Sequence, residues 1–287
     1  MKTKSGFLSL LVCGLILAVF GVFVRVLNQY IGGLTQVGGR MAVATLIVLP
    51  YLLYKKISLK TSISNWPLFT IFILSFPLYI VFFTLSILNT KLVNAFFYLF
   101  ASSMLTSFIM GYFYFKERIN KENLVAAFLL LSGLCFLVYP FDFNQSWKGV
   151  LAGILGGIFW GVSNATRKFY TGKINNWAVI FYQMMTGAAL SFFIAYFLNE
   201  FPHNQWILPS LSLLIIYGIG MVIIQTLLFI GFKNFPLNLG SIVLASQLFF
   251  VEFVGIFVFK EMPSLTELVG SLFVILAIIM SNLKIRS

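Results

Sequence analysis

The sequence has few charges and few reactive side chains. Only 9% of its 287 residues are charged, seven are acidic, one is histidine and two are cysteine. It contains no HExxH pair, Gly-x-Ser-x-Gly turn or P-loop, and its single histidine, His203, falls in a polar connection. These absences exclude the hydrolase and ATPase classes that such motifs indicate. Cys13 and Cys135 lie in apolar runs without the spacing of a disulfide framework or a zinc site. We therefore expect no enzyme activity, no cofactor and no metal.

Apolar residues, in contrast, are abundant. They make up 60% of the chain, and the mean hydropathy of +1.00 lies far outside the range of soluble domains. The formal charge of +12 comes from basic residues that stand singly or in pairs between apolar runs. Because no dense basic segment could follow a phosphate backbone, a nucleic-acid partner is not expected. The composition indicates a multi-pass protein whose partner is the lipid bilayer.

Ten apolar runs are long enough to cross a membrane as helices, which takes about 20 residues. The short connections between them leave no room for an extramembrane domain. The N-terminal run reaches Leu27 without a small-residue cleavage site, so we interpret it as a retained span and not as a signal peptide. The predicted spans are 7–28, 34–54, 66–88, 92–115, 122–139, 148–168, 177–198, 207–232, 238–259 and 265–283.

The distribution of basic residues predicts the orientation of these spans. With the N-terminus inside, 14 of the 19 basic residues fall on the cytoplasmic side, as the positive-inside rule requires. We therefore expect a protein of a bacterial inner membrane with both termini in the cytoplasm. The cytoplasmic set is Lys2, Lys4, Lys55, Lys56, Lys60, Lys116, Arg118, Lys121, Arg167, Lys168, Lys173, Lys233, Lys284 and Arg286.

A motif repeated after half the chain indicates duplication. Phe115-Lys116-Glu117 recurs as Phe259-Lys260-Glu261, 144 positions later. An odd number of spans in each half places the second copy upside down relative to the first. The predicted fold is thus all-α, with ten transmembrane helices in two inverted five-helix repeats at 1–144 and 145–287. Further matches pair Gly6, Gly14, Arg25 and Met41 with Gly149, Gly157, Lys168 and Met184 at an offset of 143, and Asn94 and Ser102 with Asn238 and Ser246 at 144.

Span 6 carries glycines at strict four-residue spacing, which forms a smooth ridge on one helical face. This ridge allows close helix packing, or a sliding contact during a conformational change. Trp160 and Asn164 beside it are candidates for the lining of a cavity. The glycines are Gly149, Gly153, Gly157 and Gly161.

Span 4 has a polar stripe of Asn94, Tyr98 and Ser102 at helical spacing. Interhelical hydrogen bonds and the wall of a hydrated cavity are both open explanations. The same two alternatives hold for the polar residues of spans 7, 8 and 9. A binding site between inverted repeats should use both copies. The residues concerned are Gln183, Gln225, Ser246 and Gln247.

Glu252 is the only acidic residue deep within a predicted span. Burial of a carboxylate there costs about 2.5 to 3.5 kcal/mol on insertion scales. Arg40 and Arg25 lie near the same membrane boundary, so one of them could form a structural ion pair with Glu252. The alternative is that Glu252 contacts a cationic group of a substrate or carries a coupling proton.

The two copies, each with Phe-Lys-Glu at the end of the fourth span and x-x-Leu-Val at the start of the fifth, resemble the EamA-like branch of the drug/metabolite transporter superfamily. Gly149-x3-Gly153-x3-Gly157-x2-Trp160-Gly161 in span 6 adds to the resemblance. Where that family often has proline in the fourth helix of each copy, this chain has Met104 and Leu248. The resemblance implies a basket of helices around a central cavity, with spans 5 and 10 at the periphery.

The resemblance also implies secondary transport by alternating access. The expected substrate is a small metabolite such as an amino acid or a related solute, and the expected direction is export. Uptake of a nucleotide-like, sugar-phosphate or cofactor metabolite by exchange remains an alternative, as does an uncoupled facilitator or channel. The sequence leaves a homodimer open.

Overall fold

A computed structural model describes the backbone of residues 2–59, 66–139, 146–201, 204–254 and 264–283. These residues are almost entirely helical, which confirms the all-α prediction. The helices are α1 (Lys2–Leu27), α2 (Gly33–Tyr54), α3 (Trp66–Asn89), α4 (Leu92–Phe115), α5 (Lys121–Val138), α6 (Trp147–Tyr170), α7 (Asn176–Phe197), α8 (Leu208–Asn234), α9 (Leu237–Leu244), α10 (Ser246–Val254) and α11 (Leu265–Leu283).

Helices α1 to α8 are each long and apolar enough to cross a membrane. Two shorter apolar helical segments, Leu237–Val251 and Leu265–Ser281, follow at the positions of the predicted spans 9 and 10. The chain therefore traverses the bundle back and forth. We call the side on which α1 begins the N-terminal face and the opposite side the distal face. Helices α2, α4, α6 and α8 run from the distal face to the N-terminal face.

The predicted span 9 is divided into α9 and α10 at Ala245. The amide of Ala245 donates to the carbonyl of Ile242 at 3.1 Å, and the amide of Leu248 donates to the carbonyl of Ala245 at 3.0 Å. Such contacts between residues three apart belong to a tighter helical turn, which interrupts the α-helical ladder. Neither proline nor glycine occupies the turn, so the sequence contains no helix breaker that would predict it.

Helix packing follows a two-fold pattern that exchanges spans 1–5 with spans 6–10. α1 packs mainly against α8, α9 and α10, and its counterpart α6 packs mainly against α3 and α4. The same two-fold relation exchanges α2 with α7 and α5 with α11, and the two helices of each of these pairs pack against each other. Because each copy holds five spans, the two copies have opposite orientations in the membrane. The packing thus has the form of an inverted repeat.

Two glycine contacts make this symmetry visible at the level of single residues. A side chain at Gly157 of α6 would overlap with Ser102 of α4, so the two helices touch there. At the equivalent place in the other copy, a Cβ on Gly14 of α1 would lie 2.5 Å from Oγ of Ser246 in α10. Both pairs join residues that the sequence matches across the repeat. At Gly157 the backbone of α4 itself approaches too closely for a side chain, since the carbonyl oxygen of Leu99 would overlap with a Cβ, whereas at Gly14 the close neighbour is the serine side chain.

Candidate functional site

A narrow cavity lies in the middle of the bundle, between the two repeats. The empty space between its walls totals about 450 Å³, a figure that includes space open to solvent. The first repeat contributes α1, α2 and α3 to its wall, and the second contributes α6, α8 and α10. The lining residues are Leu17, Phe20, Gly21, Val24, Arg40, Phe76, Tyr79, Ile80, Phe83, Thr84, Trp160, Tyr217, Met221, Ile224 and Gln247.

Arg40 is the one charged residue among the described residues of this wall. It lies seven residues into α2, about 10 Å from the distal end of that helix at 1.5 Å per residue, and its side chain is 1% exposed. Its Nη2 donates a hydrogen bond to Oγ1 of Thr84 at 2.7 Å. Its guanidinium carbon lies 4.3 Å from the centre of the Tyr217 ring, a cation–π geometry. Within the described part of the chain, its Nε and Nη1 have no hydrogen-bond partner.

This arrangement leaves Arg40 incompletely compensated. An arginine in the middle of a transmembrane helix costs about 2.5 to 3.5 kcal/mol on insertion scales. One hydroxyl acceptor and one aromatic ring, each worth about 1 to 2 kcal/mol, offset a cost of that order, but they leave Nε and Nη1 without an acceptor among the described residues. A buried cation that retains open donors in a cavity indicates a functional site.

Aromatic rings close around the cavity on both sides of Arg40. The rings of Tyr79 and Trp160 have their centres 4.2 Å apart, as do those of Phe20 and Tyr217. Each pair joins one residue from the first repeat with one from the second. Because aromatic contacts between helices hold their partners in fixed orientations, the cavity has a shaped, mostly apolar wall.

A second buried arginine, Arg167, lies three residues before the N-terminal-face end of α6. It is 0% exposed. Its Nη1 donates to Oδ1 of Asn164 at 2.8 Å, and its Nη2 donates to Oε1 of Gln225. Gln225 in turn donates to Oε1 of Gln183 at 2.7 Å, and Gln183 donates to the carbonyl of Phe72 at 2.8 Å. This chain of hydrogen bonds links α3, α6, α7 and α8.

Arg40 and Gln183 occupy equivalent positions in the two repeats. They differ by the same 143 residues that separate the next residues along, Met41 and Met184. In one copy the position holds a cation that faces the cavity, and in the other it holds an amide that belongs to the hydrogen-bond chain of Arg167. The duplicated scaffold thus carries different chemistry on its two sides.

The structure distributes the predicted site residues over three places. Arg40, Trp160 and Gln247 line the cavity. Asn164, Gln183 and Gln225 belong to the Arg167 hydrogen-bond chain. Three others, Tyr98, Ser102 and Ser246, pack against glycines of a neighbouring helix.

The polar stripe of α4 therefore faces the glycine ridge of α6. Tyr98 lies against Gly153, Ser102 against Gly157, and Thr106 against Gly161. The hydroxyls of Ser102 and Thr106 donate to carbonyls of their own helix. The stripe thus packs against a neighbouring helix, but the interhelical hydrogen bonds that were one of the two explanations are not seen for Ser102 and Thr106, whose described bonds lie within α4. Asn94, at the first turn of α4, is buried and is not among the described cavity residues.

The remaining candidates were Arg25 and Glu252. Arg25 lies near the distal end of α1, where it is exposed and donates to the carbonyl of Thr90 at 3.1 Å. Glu252 falls on α10, but its side chain lies outside the described residues, so its pairing with an arginine remains a prediction. Arg40 instead contacts Thr84 and Tyr217.

Sequence reasoning did not single out Tyr79, Thr84, Tyr217 or Arg167. Tyr79 and Tyr217 are two of 12 tyrosines in a chain with 34 phenylalanines, so no pattern distinguishes them. Arg167 was assigned to the cytoplasmic charges, whereas the structure buries it completely. Its spacing of three residues from Asn164 is the one signal that could have indicated an intramembrane pair.

Charged groups tie the two repeats together at each face of the bundle. At the N-terminal face, Lys168 Nζ lies 2.6 Å from Oε1 of Glu117, and Glu117 accepts from the amides of Leu237 and Asn238 at 2.7 and 3.1 Å. At the distal face, Glu200 accepts from the amides of Leu34 and Thr35 at 3.0 and 2.8 Å. Each carboxylate thus sits at the N-terminus of a helix of the other repeat, where the helix dipole favours it.

Among the described residues, no cluster of three or more histidine, cysteine, aspartate or glutamate side chains could hold a metal ion. The chemistry of the site is therefore described by its hydrogen-bond donors, its aromatic walls and the charge of Arg40.

Comparison with known proteins gives concordant findings. The sequence profile of the EamA-like transporter family matches residues 4–139 and again residues 147–283. An uncharacterized transporter from Archaeoglobus fulgidus is 24% identical over 170 residues, which span 58% of this chain and 58% of that relative. A solved crystal structure matches with a TM-score of 0.79 and 16% identity over 99% of this chain and 98% of that chain, a likeness that concerns the fold alone.

Proposed function

Because the chain belongs to the EamA-like transporter family, whose profile matches each of its halves, we propose that it is a secondary transporter that moves a small metabolite by alternating access. The observation that carries this proposal is the cavity between the repeats, with its buried arginine. Inverted-repeat transporters place their substrate site at such an interface near the middle of the membrane.

The ties at the two faces support a rocking mechanism. The Glu117 tie holds the start of α9 at the N-terminal face, and the Glu200 tie holds the start of α2 at the distal face. Each consists of charge-assisted hydrogen bonds between the repeats, which can break and re-form without a change in either repeat. Opening of the cavity toward one face would break the tie there and keep the other, so the two ties act as alternating closures.

The experiment that tests transport is a thermal-shift screen of the purified protein against a metabolite library, followed by counterflow in liposomes with each stabilising compound. We expect saturable exchange of at least one compound. An uncoupled channel would instead give flux that does not saturate. If no stabilising compound gave saturable exchange, the transporter proposal would fail.

We further propose that the N-terminal face is cytoplasmic and that the membrane is a bacterial inner membrane. The excess of basic residues on that face supports this orientation. Single cysteines at exposed Lys55 and Lys148, in a chain whose own two cysteines are replaced, would test it. An impermeant maleimide should label position 148 in right-side-out vesicles and position 55 only after the membrane is opened. The reverse result would invert the orientation.

The direction of transport and the class of solute form a separate proposal. We propose export of a small solute with one polar end and an apolar body, since the wall of the cavity is mostly apolar and has few hydrogen-bonding groups. Uptake by exchange is the competing direction. Counterflow from vesicles of both orientations would show which side has the lower half-saturating concentration.

A further inference from the structure

We propose that the solute carried by this cavity is an organic anion whose carboxylate or phosphate group binds Arg40. The inference rests on the proposed transport function, and it specifies the charge class of the substrate.

The first argument is the unmet hydrogen-bonding capacity of Arg40. A guanidinium has five N–H donors in a planar fork that matches the oxygens of a carboxylate or a phosphate. The donor to Thr84 accounts for one of them, and Nε and Nη1 have no partner among the described residues although the side chain is fully buried. Arg40 is also a residue of the cavity wall. We infer that a ligand that enters the cavity brings its acceptors to those nitrogens.

The second argument is the balance of donors and acceptors around the cavity. The polar groups of the described wall besides Arg40 are the hydroxyls of Tyr79, Thr84 and Tyr217, the indole N–H of Trp160 and the amide of Gln247. Each of them can donate a hydrogen bond, and the amide oxygen of Gln247 is the one group that can only accept. The described wall contains no carboxylate. A donor-rich wall with one cation favours a ligand that brings the acceptors and the negative charge.

The contrast with Arg167 is the third argument. Both arginines are buried, yet both terminal nitrogens of Arg167 donate to an amide oxygen of the protein, and of its three nitrogens Nε alone lacks a partner among the described residues. The fold thus supplies neutral acceptors to Arg167, which is not among the described residues of the cavity wall. It leaves Nε and Nη1 of Arg40, which is in the wall, without described acceptors. If Arg40 served only to stabilise the bundle, we would expect it to have partners comparable to those of Arg167.

The aromatic wall restricts what the rest of the anion can be. Phe20, Phe76 and Phe83 line the cavity, and the ring of Trp160 packs against that of Tyr79 in its wall. A compact apolar body fits these rings, whereas a heavily hydroxylated body would lose its water without gaining partners. We therefore expect a solute with one anionic end and an apolar remainder.

The test uses four probes that share a phenyl ring and differ in charge: phenylacetate, phenyl phosphate, phenylacetamide and phenethylammonium. Binding to the purified full-length protein is measured by thermal shift and by calorimetry. We expect the two anions to bind and the neutral and cationic probes to bind at least about tenfold more weakly, since charge-assisted hydrogen bonds to Arg40 are lost. The ratio between phenylacetate and phenyl phosphate then tells which anionic group the site accepts.

Variants at Arg40 connect any binding to this residue. Arg40→Gln, which installs the side chain found at the equivalent position 183, should weaken anion binding about 10- to 100-fold. Arg40→Lys keeps the charge without the fork and should fall between wild type and Arg40→Gln. Arg118→Gln is the matched control, because Arg118 is exposed and outside the cavity. If Arg40→Gln proved unstable, the loss of selectivity between phenylacetate and phenylacetamide in Arg40→Lys would serve as the readout.

The outcomes separate this inference from the transport proposal. Arg40-dependent anion binding without saturable counterflow would support the anion site and overturn transport. Saturable counterflow of a neutral or cationic solute, unchanged in Arg40→Gln, would support transport and overturn the anion site. Equal affinities for phenylacetate and phenylacetamide would also overturn the anion site.

Discussion

The two buried arginines of this protein are compensated in different ways. Arg167 donates to the side chains of Asn164 and Gln225, and the hydrogen-bond chain continues through Gln183 to the backbone of α3. Arg40 has one hydroxyl acceptor and an aromatic ring, with two nitrogens open. A cation surrounded by fixed acceptors holds helices together, whereas a cation with open donors in a cavity is prepared for a ligand. At similar burial, this difference distinguishes an arginine with a structural role from one with a role in ligand binding.

The largest effect is expected where the Arg167 hydrogen-bond chain is broken. Gln225→Leu keeps the approximate size of the side chain but removes the acceptor for Arg167 and the donor to Gln183. Removal of one partner of a buried charge typically costs about 3 to 5 kcal/mol. We expect a loss of this order in the free energy of unfolding in mixed micelles. Gln247→Leu, at a cavity glutamine outside the network, is the control and should lose much less. Equal losses would show that the network has no special role.

The next test applies the same substitution to both arginines. Arg40→Met removes a buried charge with few partners, so we expect the free energy of unfolding to rise by about 1 to 3 kcal/mol. Arg167→Met should lower it, because Asn164 and Gln225 then keep buried oxygens without donors. Unfolding of the two variants, measured side by side in the same detergent, checks the sign of each change. A loss in both variants would mean that Arg40 is as fully compensated as Arg167.

A third cation, Lys168, shows compensation by a true opposite charge. It pairs with Glu117 at 2.6 Å, and the two side chains are 21% and 13% exposed. Glu117→Gln should lower the free energy of unfolding by about 1 to 2 kcal/mol, because charge-assisted hydrogen bonds become neutral ones. A double-mutant cycle with Lys168→Met isolates the pair. A coupling free energy near zero would show that Glu117 acts on the amides of α9 alone.

The same comparison shows what the sequence can and cannot predict. The repeat, its inversion and the all-α fold follow from the duplicated motif and from the apolar runs, and the matched residues Gly14 with Ser246 and Gly157 with Ser102 meet in the structure. Membrane-spanning length and internal similarity are one-dimensional properties, so a sequence records them directly. The break of span 9 at Ala245 is not recorded, since no proline or glycine produces it.

The site was predicted only in part, because its members depend on the direction in which each side chain points. Arg40 and Trp160 were candidates and line the cavity, but Tyr98 and Ser102 point to the α6 glycines. A polar stripe on a helix has the same spacing whether it faces a cavity or a neighbouring helix. Arg167 lies near a helix end, where a charge usually faces water, and the packing of α3 and α8 against it contributes to its burial.

The smallest effect is expected at the single hydrogen bond that holds Arg40. Thr84→Val preserves the shape of the side chain and removes the acceptor of Nη2. We expect the free energy of unfolding to change by about 1 kcal/mol or less, since water in the cavity can replace the hydroxyl. Binding of phenylacetate should weaken about fivefold, because the guanidinium is less fixed but keeps its charge. Calorimetry on Thr84→Val and Arg40→Gln together checks this order of effects. Unchanged affinity in Thr84→Val would show that the ring of Tyr217 alone orients the guanidinium of Arg40. A loss of affinity as large as that of Arg40→Gln would place Thr84 itself in contact with the anion.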